Sequence, residues 1–113
     1  MICGVSASYA QTPPPFPLPT NNNSVAITTG GTFQQLLSAV PTNSSARKSL
    51  LIQNNNTAAT NCFVFIGSGT ATLGTSILLL QGISYQRYFP LVPSDVIQGT
   101  CATTGNTLYV DYQ

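Results

Sequence analysis

The sequence predicts an all-β protein: an antiparallel β-sandwich, jelly-roll-like, behind an extended Pro-rich N-terminal arm. Three observations lead there. Apolar runs are short, and Gly, Pro, Asn and Ser interrupt them at intervals of roughly 8–12 residues, the rhythm of a sandwich or barrel. Val, Ile, Thr, Tyr and Phe fill the runs, and these residues suit a pleated, half-buried surface. No amphipathic stretch reaches helical length. At 113 residues, one domain is the ceiling.

Residues 1–20 form the arm. Ser8-Tyr9-Ala10 fits the small-x-small pattern of a secretory cleavage site, with Gln11 behind it. No Lys or Arg stands ahead of it, however, and Ile2-Cys3-Gly4-Val5 is too short for a signal core. Two readings stay open: a longer signal ahead of Met1, or a retained segment. The stretch from Thr12 to Thr20 holds Pro13, Pro14, Pro15, Pro17 and Pro19. Prolines fix φ and lack a donor, which excludes helix and central strand and favours polyproline II. Such a run is either a stiff spacer or, as expected here, an arm with Phe16 and Leu18 as apolar anchors on a neighbouring subunit.

The sandwich domain spans 21–113. Strands are expected at Ser24–Thr29, with Val25 and Ile27 on one face, and at Thr32–Leu37. In the latter, Phe33, Leu36 and Leu37 fit a single helical turn as well as a bulged strand. Further strands are expected at Ser49–Gln53, Cys62–Ile66, Thr75–Leu80, Ser84–Phe89, Asp95–Gln98 and Thr107–Tyr112. Turns fall at Gly30-Gly31, Asn54-Asn55-Asn56, Gly67-Ser68-Gly69, Gln81-Gly82 and Thr103–Asn106, and Pro90 and Pro93 bracket a loop.

Composition bounds the function. Charged residues make up 4% of the chain (Arg47, Lys48, Arg87, Asp95 and Asp111) and histidine is absent. Two carboxylates and no imidazole argue against general acid–base pairs, Ser-His-Asp triads and His/carboxylate metal sites. The expectation is therefore no enzyme, no catalytic residue, no cofactor and no metal. A net charge of +1 lacks the basic face that holds a phosphate backbone, so no nucleic-acid partner is expected. Ser76–Ile83 falls far short of the ~20 residues of a membrane helix, so no membrane is expected either. Soluble surfaces usually carry roughly a quarter to a third charged residues; a chain this neutral suits life in an assembly.

Two strands lack a polar face. Cys62–Ile66 is apolar on both sides, as is Ile77–Leu80. Burying one Leu or Phe is worth roughly 1.5–3 kcal/mol, so both faces call for cover. That cover is either a long loop over a central strand or, as expected here, a subunit interface through Phe63, Phe65, Ile77 and Leu79. The expected partner is the chain itself, as a homotrimer.

The cysteines are Cys3, Cys62 and Cys101. Cys62 and Cys101 lie in or beside strands and are either bridged or buried free thiols; a bridge needs Cα atoms within about 7 Å. Arg47-Lys48 reads as a solvated guard on a strand edge, the alternative being contact with nucleic acid or an acidic patch. Asp95 is expected to cap a turn. Three triplets (at Asn22, Asn43 and Asn55) match the glycosylation pattern, as chance allows in so Asn-rich a chain. Tyr85, Tyr88, Phe89, Tyr109 and Tyr112 read as core and interface packing, with a sugar-stacking surface as the alternative.

From about Val25 onward, the chain resembles a group of small β-sandwich virion proteins of tailed phages and prophages. The resemblance rests on Gly30-Gly31-Thr32-Phe33-Gln34, Ser49-Leu50-Leu51-Ile52-Gln53-Asn54, Phe65-Ile66-Gly67, Leu80-Gln81-Gly82-Ile83-Ser84-Tyr85, Val92-Pro93-Ser94-Asp95-Val96-Ile97 and Leu108-Tyr109-Val110. It implies a capsid decoration or cement subunit on the outer head surface, trimeric, with the major capsid protein or another virion protein as partner. Head-fibre or tail-associated adhesion modules belong to the same range, and the signal-like start keeps a secreted location open.

Overall fold

Side-chain alternation decides which residues of each strand reach the interior, and pairing decides where each strand lies. The structure is a computed structural model that describes residues 20–42 and 46–113. The expected arm contacts of Pro13–Pro19, Cys3, the cleavage pattern and the Asn43 triplet lie outside the described residues.

The described residues form eight strands: β1 (Asn21–Ala26), β2 (Gln34–Leu37), β3 (Ser49–Gln53), β4 (Cys62–Ile66), β5 (Ile77–Leu79), β6 (Ser84–Tyr88), β7 (Ile97–Cys101) and β8 (Thr107–Tyr112). They form two four-stranded sheets, ordered β1-β8-β3-β6 and β2-β7-β4-β5, with antiparallel pairing throughout. β1 pairs with β8, β2 with β7, β3 with β6 and β4 with β5, so the chain is one long hairpin. Rolling that hairpin sets β8 beside β3 and β7 beside β4, which is jelly-roll winding. The all-β sandwich expected from the sequence is the observed fold.

The inner layer is small and aliphatic. Leu50 and Ile52 of β3 and Leu108 and Val110 of β8 face Val64 of β4, Leu79 of β5 and Ile97 of β7, with Ile27 following β1. Gly99 of β7 sits among them because a Cβ there would lie 2.6 Å from Leu36 Cδ1 and 3.0 Å from Leu108 Cδ1. Cys62 and Cys101 are direct partners across β4 and β7 and form a disulfide, with Cα atoms 3.9 Å apart. Ala102 N–H donates to Asn61 O just beyond them (2.9 Å). The bridge therefore spans a narrow, non-hydrogen-bonded pair of the ladder, and both sulfurs belong to the buried core.

Several boundaries differ from the sequence expectation, each for a physical reason. β1 starts at Asn21 rather than Ser24, because Asn21–Asn23 pair with Val110–Tyr112. β2 is strand and not a helical turn; its register shifts between Gln35 and Leu37, so Leu36 and Leu37 are both half-buried. A bulge of this kind imitates helical spacing in a sequence. β5 is cut to three residues because Leu73–Thr75 form a 3-10 turn capped by Thr72, whose Oγ1 lies 2.8 Å from Thr75 Oγ1. β7 runs Ile97–Cys101 rather than Asp95–Gln98: β2 and β4 flank it and hold Gly99 and Thr100 extended despite their weak or context-bound strand preference.

The disulfide closes a loop with a sequence separation of 39, which chain entropy values at about 4 kcal/mol. Cys62→Ala/Cys101→Ala should lower the urea unfolding free energy by roughly that amount. An unchanged urea midpoint would show that β4 and β7 hold together without the bridge.

Candidate functional site

Chemistry usually needs polar or charged groups held away from bulk water, so the buried polar side chains come first. They are Arg47, Asn54 and Thr100. Arg47 is only 5% exposed, which corrects the expectation of a solvated edge guard. Its guanidinium donates to Pro93 O (2.7 Å), Asp95 O (3.1 Å) and Ser38 O. It thereby ties the loop after β2 to the loop before β7. Asp95 enters through its carbonyl, not through the expected turn cap. Burial lowers the Arg47 pKa, against the upward pull of Tyr112 and Asp95. Among the described residues its partners are backbone carbonyls, all engaged through Nη1 and Nη2, while the buried Nε has none, so the group serves as a structural rivet between the two loops.

Asn54 closes the other end. Its Nδ2 donates to Thr60 O (2.8 Å) and Leu79 O (2.9 Å), and its Oδ1 accepts from Asn56 Nδ2 (2.7 Å). Asn56 in turn pairs with Thr107 as a strand would, donating to Thr107 O (2.9 Å) and accepting from Thr107 N–H (2.9 Å). Asn55 Oδ1 accepts from Thr107 Oγ1 at 2.8 Å. The Asn triplet, read in the sequence as a plain strand terminator, is thus a side-chain weld between β3, β5 and β8. Among the described residues no cluster of three or more His, Cys, Asp or Glu could hold a metal.

The surface is asymmetric. The outer face of the β1-β8-β3-β6 sheet is polar, with Asn22, Ser24, Thr107, Tyr109, Asp111, Gln53 and Gln86 alternating with the core residues. Tyr109 Oη donates to Asp111 Oδ2 (3.3 Å). Partial loss of hydration, then the Asp111 charge and that hydrogen bond, raise the Tyr109 phenol above its ordinary range. By contrast, among the described residues the exposed large apolar ones (Leu73, Ile77, Leu78, Leu80, Ile83, Tyr88, Phe89 and Leu91) all fall between residues 73 and 91. That segment carries β5 and β6, the edge strands at the same end of the two sheets.

Local structure fixes this ridge. The Thr72 cap turns Leu73 outward, 53% exposed. In β5, Leu79 points in and Leu78 points out. Leu80–Ile83 is a tight turn closed by Ile83 N–H donating to Leu80 O (2.9 Å), with Gly82 at φ 80°, a backbone that favours glycine. Gly82 N–H donates to Asn54 O (2.8 Å) and Asn54 N–H to Ile83 O (3.1 Å), which pins the turn to β3 and leaves Leu80 and Ile83 in solvent. At the far end, Lys48 Nζ lies 5.2 Å from the centre of the Phe89 ring and Arg87 lies 4.7 Å from that of Tyr85. Two of the three cations thus rest on aromatic faces beside the ridge.

The residues expected at an interface are divided. Ile77 is on the ridge. Phe63 is half-buried, in register with Leu78 on the outer face. Phe65 is also half-buried, and its ring meets the positions of Gly67 and Gly69 in the following loop; part of its cover is this loop. Leu79 is a correction: at 2% exposed it belongs to the core and cannot form an interface. The residues that sequence reasoning missed are Leu73, Leu78, Leu80, Ile83 and Leu91; for Leu78 and Leu80 the signal was present in the apolar run Ile77–Leu80, whereas Leu73, Ile83 and Leu91 stand singly among turn residues and carried none. The five aromatics make no common platform: Tyr85 and Tyr112 pack on the core, Tyr109 lies on the polar face, and Tyr88 and Phe89 are exposed on the ridge. No family model, curated protein or solved structure matches the chain.

Asn54→Asp should destabilise the fold by about 1–3 kcal/mol, since a carboxylate would face two carbonyl oxygens and leave them without donors. Asn55→Asp, exposed, should stay within about 0.5 kcal/mol; equal urea midpoints for the two variants would remove Asn54 from its structural role. For Tyr109, the folded-state pKa lies above the unfolded one, so its contribution is complete below the unfolded pKa of about 10. It is lost as pH rises through the folded value. Tyr109→Phe should therefore flatten the alkaline fall in melting temperature, and an unaltered pH profile would contradict the assignment.

Proposed function

We propose that the chain is a non-enzymatic structural subunit of a bacteriophage virion, a capsid decoration or cement protein that associates with itself, as a trimer, and with the outer shell. The observation that carries this reading is the ridge: among the described residues, every exposed large apolar side chain falls within residues 73–91, the segment that carries the edge strands β5 and β6. A concentrated apolar surface on a small domain marks an interaction site, and with 4% charged residues little electrostatic repulsion opposes contact there. Jelly rolls recur in viral capsid proteins, although fold alone does not carry function. The disulfide suits a virion surface, since bridges persist outside the reducing cytosol. Lys48 and Arg87, seated on ring faces at the edge, add a weakly positive rim that fits an acidic patch on a shell protein.

Leu78→Glu/Leu80→Glu places two charges on the ridge at exposed positions. The variant should melt within a few degrees of the parent, sediment as a smaller species, and no longer pellet with phage heads. Pelleting at parental level would overturn the proposal, and binding to host cells or glycan in place of heads would identify an adhesion module.

A further inference from the structure

At the edge opposite the ridge, between β1 and β2, the sandwich is open. The two sheets part there around a groove of about 560 Å³, floored by Val25, Leu36, Leu37 and Tyr112 and rimmed by Asn21 and Asn23. A second hollow of about 240 Å³ continues it along Leu36, Leu37 and Tyr112. The opening has a cause in the sequence. The positions of β1 that alternate with its solvent face are Asn21, Asn23 and Val25, in register with Tyr112, Val110 and Leu108. Two of these three are amides, so β1 brings too little apolar volume to close the gap, and the bulge in β2 turns Leu36 and Leu37 toward it.

An occupant that is extended, apolar at intervals and supplied with free carbonyls fits this opening, because amide donors line the rim and β1, paired only with β8, is an edge strand with outward N–H groups. A proline-rich segment offers carbonyls without donors. Pro13–Pro19 of this chain, with Phe16 and Leu18, meets each requirement. In polyproline II its seven residues span about 22 Å, close to the roughly 20 Å of the six-residue β1.

A second copy supplies it without a reversal of the chain. Thr20, the residue that follows Pro19, lines the groove and is held by Gln113 Nε2 (2.8 Å), at the end where Asn21 pairs with Tyr112. To lie along its own groove the chain would have to reverse at Pro19. We infer that the β1–β2 groove binds the Pro13–Pro19 segment of a second copy of the chain, with Phe16 and Leu18 seated against Leu36, Leu37 and Tyr112. The exchange rests on the self-association proposed above and supplies a second contact, independent of the ridge.

The test uses the full chain with Phe16→p-benzoylphenylalanine, mixed from normal and ¹⁵N-labelled copies, irradiated and digested. Expected are cross-links between unlike copies that map to residues 21–37 or 110–112. Cross-links only within one copy, or onto residues 73–91, would overturn the inference. A companion variant adding Asn23→Arg fills the groove from an exposed position; it should reduce the inter-copy yield at least tenfold with an unchanged melting temperature, and undiminished yield would overturn the inference. Ridge-dependent association without these cross-links sinks the exchange alone, whereas a chain that stays monomeric and binds no heads sinks the proposed function as well.

Discussion

The fold depends on rolling a single long hairpin, and two pairings do the rolling: β3 with β8 and β4 with β7. Without them the chain would be a ladder of four strand pairs with one greasy face and nothing to cover it. Cys62–Cys101 sits inside the second of these pairings, between residues directly opposite in register. It fixes the register of β4 and β7, and a slip of one residue there would exchange Val64 and Ile97 with Phe65 and Gln98 across the sheet. The core, the ridge and the groove all inherit their positions from that register.

A core this small leaves the ends of the sandwich to polar side chains. Arg47 at one end and the Asn54–Asn56 group at the other do the same work by different chemistry. Each presents donors to backbone carbonyls that no strand reaches. The guanidinium is suited to this, with five donors in a rigid plane. Asn56 behaves as a one-residue strand, satisfying both backbone groups of Thr107. With its few charges, the protein thus commits one of three cations to loop geometry rather than solubility.

The remaining surface is uneven. One sheet turns a hydroxyl- and amide-rich face to water. The β5–β6 edge shows its apolar residues, and the β1–β2 edge leaves a groove between the sheets. The two edges of one sandwich thus differ, one apolar and exposed and the other hollow.

Much of the fold was legible because period-two apolar patterning and turn residues act locally. β3, β4 and β8 have the bounds expected from Ser49–Gln53, Cys62–Ile66 and Thr107–Tyr112, and Gly82 marks its turn by the backbone it needs. Leu79 was misplaced because a run of four apolar residues carries no parity; only pairing of Leu79 with Cys62 turns it inward. Arg47 and the Asn triplet were misread for a related reason, since their partners lie 46 residues and 51 residues away in Pro93 and Thr107. By itself the sequence determined the strands, the turns and the scarcity of charge, which are properties of neighbouring residues. Which apolar face is covered, which polar group is buried and where the sandwich stays open were decided by tertiary structure, because burial is settled by what rolls up against a strand.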